Sequence, residues 1–219
     1  MNGTVRRSGY LEQMHGSKGA TGVIKVITGM RRCGKSTLME QFEEDLRSEG
    51  VDSNHIFHVN FETFEGYDIL SPDELRRQLR ALPKDGIVYI MLDEIQDVEG
   101  WELIVSSLEE VKNYDVYITG SNSDMLSTDL STHLSGRYIE IKMLPLSFGE
   151  YYELHPGNAG DRFVQYLRYG GLPDTDPDRG ERHSLGYLEG VFSTVLVKDV
   201  LSRLRTDNVN KIRAIARFL

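Results

Sequence analysis

Eight consecutive residues, Gly29-Met30-Arg31-Arg32-Cys33-Gly34-Lys35-Ser36, combine two glycines, a lysine and a hydroxyl in the order G-x-x-x-x-G-K-[ST]. They follow the β-branched run Val23 to Thr28 and precede a stretch with Leu38, Phe42 and Leu46 at helical spacing, so the motif stands between a strand and a helix. Glycines let the backbone turn back on itself so that successive N–H groups face inward, and the helix N-terminus adds unpaired donors and the positive end of its dipole. The segment from Gly29 through Thr37 therefore reads as a cradle for phosphates. Lys35 is expected to reach the β- and γ-phosphates, the Ser36 hydroxyl to ligate Mg²⁺, and Thr37 to help hold the α-phosphate. Cys33 lies in the variable part of the loop. A small side chain that fits is the plain reading, and a redox role beside Lys35 is the alternative.

A second feature is the apolar run Ile87 to Leu92 ending in Asp93-Glu94. Such a run suits a central strand covered on both faces, and two carboxylates at its carboxyl end are costly unless a cation meets them. In a doubly wound sheet that edge is where ligands bind. Mg²⁺ with ATP would supply the charge: Asp93 is expected at the metal, and Glu94 toward the γ-phosphate, orienting or deprotonating a water. The run Val116 to Thr119 ends in Gly120-Ser121-Asn122, which brings Ser121 or Asn122 to the same edge. Arg137, just before the next run, has two readings of equal standing, stabilisation of transferred charge and a surface salt bridge. For Glu62, after Asn60-Phe61, a solvated strand end is preferred over contact with the loop.

These groups need an α/β scaffold. Runs at Val23–Thr28, His55–Phe61, Ile87–Asp93, Val116–Thr119 and Tyr138–Met143 alternate with amphipathic stretches at Lys35–Ser48 and Trp101–Asn113, which predicts five parallel strands between helices. Ser71-Pro72-Asp73-Glu74 and Ser147-Phe148-Gly149-Glu150 read as helix starts with capping boxes, and Gly50 as a helix stop. After Pro145 the pattern becomes all-helical, broken at Gly157–Gly160 and Gly170–Gly180, with further helices expected over 182–203 and from Asn208 onward. Tyr151, Tyr152, Phe163 and Tyr166 read as packing. The domain reading is 1–145 for the core and 146–219 for a helical segment expected to continue beyond Leu219.

Composition narrows the partners. The chain has 219 residues, 34 acidic against 25 basic side chains and a formal net charge of −9, a balance unsuited to coating nucleic acid non-specifically. From Lys198 onward the balance turns basic, read first as a solvated helix face and second as a nucleic-acid contact. The longest apolar run falls far short of a membrane span. One cysteine rules out an intrachain disulfide and fits a cytoplasmic location. The histidines show neither HExxH spacing nor cysteine partners, which argues against a transition-metal site.

Taken together, the chain resembles the AAA+ family of P-loop ATPases, in particular the bacterial and archaeal branch, of AAA_14 type, whose ATPase domain often precedes a DUF4143 domain. The resemblance rests on Arg7 with Tyr10-Leu11, Gly29-Met30-Arg31-Arg32, Asp93-Glu94-Ile95-Gln96 with Trp101, Thr119-Gly120-Ser121, Gly136-Arg137, Pro145-Leu146-Ser147-Phe148 and Gly170-Gly171-Leu172-Pro173. It implies Asn122 or Ser121 at the sensor position, Tyr10 near the adenine, and a continuation into a winged-helix-like part and a further domain. The expectation is a Mg²⁺-dependent ATPase that switches an attached or partner domain. ATP and ADP are its ligands, an oligomer is compatible, and DNA is a minor candidate partner. A P-loop kinase of a small molecule and a non-catalytic nucleotide-binding module are the alternatives.

Overall fold

The computed structural model describes residues 3–121 and 136–196. Its strands are β1 (Ile24–Gly29), β2 (Ile56–Asn60), β3 (Val88–Asp93), β4 (Tyr114–Ser121) and β5 (Tyr138–Met143). They form one sheet in the order β2-β3-β4-β1-β5, with every pairing parallel. All six residues of β1 and of β3 are buried, which is why Val88–Leu92 runs apolar instead of alternating, while the one charge inside β1, Lys25, is paired with Asp115. The α/β architecture expected from the strand–helix alternation is the one observed.

Helices α1 (Ser8–Gly16), α2 (Lys35–Ser48), α3 (Phe64–Tyr67), α4 (Pro72–Ala81) and α5 (Trp101–Glu109) accompany the sheet. Leu38, Phe42 and Leu46 of α2 are fully buried, as their spacing requires. On α4 and α5, Leu75, Leu79, Trp101, Ile104, Val105 and Leu108 join Ile90, Leu92, Val116 and Ile118 in one core cluster. Helix α4 starts after Ser71 without the expected capping box: the Glu74 carboxylate accepts from Arg77 and Gln78 instead. Pro72 at the first helical position, with its fixed φ, suffices to begin the helix. Helix α5 stops short of Asn113 because Val111 and Tyr114 make the turn that leads into β4, where pairing begins two residues before Val116.

The chain forms two compact units, one made of Arg6–Met30 and Gly34–Met143, the other of Arg31–Cys33 with the helical segment from Leu144. In the second unit, α6 (Phe148–Leu154), α7 (Ala159–Tyr169) and α8 (Glu181–Thr194) follow one another. Both halves of the Ser147/Glu150 capping box are present at α6. Phe148 packs its ring on Tyr152, Phe163 and Tyr166, while Tyr151 packs on Tyr166. The Leu146 N–H donates to Gly171 O at 2.7 Å, and a Cβ at Gly171 would stand 2.2 Å from Leu146 O. That approach fixes glycine there and ties the Pro145-Leu146-Ser147-Phe148 and Gly170-Gly171-Leu172-Pro173 segments together. No helix among the described residues is long and apolar enough to cross a membrane. The helices expected beyond residue 196 lie outside the described residues.

Candidate functional site

Parallel strands deliver their carboxyl ends to one edge, and three of them supply polar groups there. Asn60 of β2 is in register with Asp93 of β3, and Ile118 of β4 with Leu92, so Thr119 falls beside Asp93. The loop from Gly29 to Ser36 leaves the same edge, because it continues β1 directly into α2. Gly34, at φ 101°, and Arg32, at φ 63°, both adopt left-handed backbone conformations. The glycine adopts this freely, and the arginine at a cost of about 1–2 kcal/mol.

Asp93 is fully buried. One carboxylate oxygen accepts from Asn60 Nδ2 at 2.7 Å; the other accepts from the Thr119 hydroxyl, and the Ser36 hydroxyl also donates to the carboxylate. Burial pushes the carboxyl above its ordinary range, against the pull of the Ser36 and Thr119 hydrogen bonds. Every one of these partners is a neutral group. A buried carboxylate with hydroxyl and amide neighbours is an all-oxygen donor set for a hard divalent cation, and Asp93 with Ser36 fits Mg²⁺ on that ground.

Glu94 follows in the left-handed region, at φ 55° and ψ 46°. Its N–H donates to Thr119 Oγ1 at 2.9 Å, so one threonine holds both Asp93 and the backbone of Glu94. The Glu94 carboxylate is 3.2 Å from Lys35 Nζ on one oxygen and accepts from Gln96 Nε2 at 2.8 Å on the other. Lys35 also donates to Gly29 O at 3.4 Å. The arrangement brings a cation, a buried carboxyl, a hydroxyl and a second carboxylate to one end of the sheet.

The remaining expected residues divide. Met30 and Arg32 are exposed, Arg31, Gly34, Ser36 and Thr37 are half-buried, and Cys33 is buried. Arg32 faces the Asp174 carboxylate at 3.7 Å and the Tyr187 ring at 5.7 Å within the helical unit. Tyr10 lies half-buried on α1 under the Arg7 guanidinium, and the Arg7 N–H is bonded to Gln41 of α2. Asn122 lies outside the described residues. Arg137 does not join the cluster. Its carbonyl accepts from Ile24 N, at the start of β1, roughly 17 Å of strand from Gly29, and its guanidinium pairs with Glu109 and Glu110. Of its two readings, the salt bridge is the one the register imposes within this chain. Among the described residues, His155, Asp176 and Asp178 bring one ligand atom each within 4.8 Å of one another, but Arg162 and Arg179 already pair with the two carboxylates.

Three contributors escaped the sequence reading: Asn60, Thr119 as a bridge, and Gln96 as a partner of Glu94. The signal for the first two was strand-end position, legible only once the register of β2, β3 and β4 is known.

The family model for the AAA domain AAA_14 matches residues 21–152. An uncharacterised protein of Haemophilus influenzae is 36% identical over 98% of this chain and 55% of its own length. An uncharacterised protein of Methanocaldococcus jannaschii is 29% identical over 90% of this chain and 46% of its own length. The chain thus spans about half the length of these curated relatives. Among solved structures, the Aeropyrum pernix ORC1 protein in complex with DNA aligns at a TM-score of 0.50, 14% identity, 99% of this chain and 66% of that one. The replication initiator DnaA bound to AMPPCP and single-stranded DNA aligns at 0.51, 14% identity, 99% and 69%. Both share the fold. With its phosphate loop, its paired acidic residues at a buried strand end and a family match across most of the sheet, the chain belongs to the AAA_14 family of AAA+ P-loop ATPases.

Proposed function

We propose that this chain binds ATP with Mg²⁺ and hydrolyses it, and that the change in nucleotide state moves the helical segment beyond Pro145 and whatever that segment carries. The observation that carries the reading is the convergence of Lys35, Ser36, Asp93 and Glu94 at one strand edge, with a buried carboxyl surrounded only by neutral donors. Loop amides and the N-terminus of α2 would hold the phosphates, with Lys35 leaving Glu94 to meet the β- and γ-oxygens. Asp93 and Ser36 would hold the metal ion, which supplies charge neutralisation on the phosphates. Glu94 then accepts a proton from water as the water oxygen bonds to the γ-phosphorus and the bond from that phosphorus to the β–γ bridging oxygen breaks.

Asn122 as a sensor, Tyr10 at the adenine, the boundary near residue 145 and a cytoplasmic setting belong to the same proposal. DNA stays a minor candidate partner, given the net charge of −9. The test is phosphate release with and without Mg²⁺, run beside Glu94→Gln. Mg²⁺-dependent release that the variant lacks supports hydrolysis. Release only with an added acceptor selects a kinase, and ATP binding without any release selects a non-catalytic module.

A further inference from the structure

The amide of Gln96 is satisfied on one side only. Its Nε2 donates to Glu94 Oε2 at 2.8 Å, while its Oε1 is buried without a hydrogen-bond donor among the described residues. Leaving a buried carbonyl oxygen without a donor is unfavourable, and such an atom in a native fold calls for a functional reason. Gln96 is the middle residue of the short turn Ile95–Asp97, one position after fully buried Ile95 and two after the left-handed Glu94.

The two oxygens of Glu94 have different donors, Gln96 on Oε2 and Lys35 on Oε1. When Lys35 moves to phosphate, Oε1 becomes the oxygen open to a proton, and Gln96 still fixes the carboxylate through Oε2. A water hydrogen-bonded to Glu94 Oε1 has one hydrogen left to place. We propose that Gln96 is the positioning residue of this site, orienting Glu94 through its amide N–H and accepting the second hydrogen of the attacking water at its carbonyl. With both hydrogens held, a lone pair of the water oxygen points at the γ-phosphorus. One proton passes to Glu94 as the water oxygen bonds to the γ-phosphorus and the bond from that phosphorus to the β–γ bridging oxygen breaks, releasing ADP, and the other stays on the phosphate product. The inference rests on the ATP-hydrolysis reading above.

Gln96→Met keeps the length of the side chain and removes both hydrogen-bonding functions. Gln96→Glu is isosteric, keeps an acceptor and removes the donor. The experiment measures steady-state phosphate release across pH, ATP affinity by fluorescent-analogue titration, and thermal melting for both variants and the wild type. Expected for Gln96→Met is a fall in kcat of roughly 10- to 100-fold with ATP affinity within about twofold of wild type. For Gln96→Glu, the acidic limb of the pH–rate profile moves upward, because neighbouring carboxylates resist ionising together. A Gln96→Met kcat equal to wild type overturns the proposal, as does a loss of kcat matched by equal losses of ATP affinity and melting temperature. Should Gln96→Met not fold, Gln96→Glu decides alone, and an unchanged profile and kcat overturn the role. Wild type that releases no phosphate removes the hydrolysis reading and this one with it, whereas wild-type turnover retained by the variants removes Gln96 only.

Discussion

Lys35 Nζ stands 3.2 Å from Glu94 Oε1, and both side chains are almost wholly buried. The ammonium that should serve the phosphates thus neutralises the carboxylate that should serve the water, so in the proposed cycle engaging the triphosphate and freeing the base would be one event. Lys35→Ala is expected to weaken ATP binding at least about tenfold, through loss of a phosphate contact and a buried carboxylate left unpaired. Glu94→Gln should bind ATP near wild-type strength and lose about 100- to 10,000-fold in turnover. Titration calorimetry beside a phosphate-release assay separates the two, and comparable turnover in wild type and Glu94→Gln would refute the assignment.

The carboxyl of Asp93 predicts a pH dependence of stability. Burial, the largest cause, raises its pKa above the ordinary carboxylate value, so the folded chain holds that proton more tightly than the unfolded chain. Stability contributed by this group is therefore present at low pH and lost as pH rises from the ordinary value through the raised one. Asp93→Asn keeps the shape and removes the charge. Without nucleotide at neutral pH it should melt a few degrees above wild type and show a flatter pH profile, while losing Mg²⁺-dependent ATP binding. A variant that melts lower than wild type across the range contradicts this account.

How far the residues announced this arrangement depends on whether the signal was local. The phosphate loop, the buried run into Asp93-Glu94 and the spacing of Leu38, Phe42 and Leu46 carry their meaning within a few residues, and each stands where it was expected. Helix α1 was missed because only Leu11 and Met14 are buried along it, too few to set a period. The roles of Asn60 and Thr119 escaped for another reason. Their roles come from strand neighbours 33 and 26 residues away in the chain, and only register reveals those. Arg137 shows the converse, since proximity in sequence to β5 said nothing about which end of the sheet it would occupy.

Arg137→Ala tests that point. With the guanidinium on Glu109 and Glu110 at the far end of the strands, the substitution should leave single-chain turnover within about twofold of wild type, because the pair it breaks lies away from Lys35, Asp93 and Glu94. A large fall in phosphate release that grows with protein concentration would instead place Arg137 at the site of a neighbouring copy.

Lys25 and Asp115 make the opposite kind of pair, both completely buried and bonded to each other. Lys25 also donates to Ala20 O at 2.5 Å, and Gly19 N donates to Asp115 at 2.7 Å. Lys25→Met should destabilise the fold by about 3–5 kcal/mol in denaturant unfolding, since it strands the Asp115 charge in the interior. Asp115→Asn added to it should restore part of that loss, and additive losses in the double variant would show that the two side chains are not coupled.

The common direction of all five strands gives the sheet two unlike rims. Lys25 and Asp115 fasten the rim where strands enter, while the rim where they leave holds the Lys35–Glu94 contact, which the proposed cycle would exchange. Substitutions at the entry rim are therefore expected to act on stability alone, whereas those at the exit rim, Asp93 among them, act on stability and, in the proposed cycle, on turnover as well.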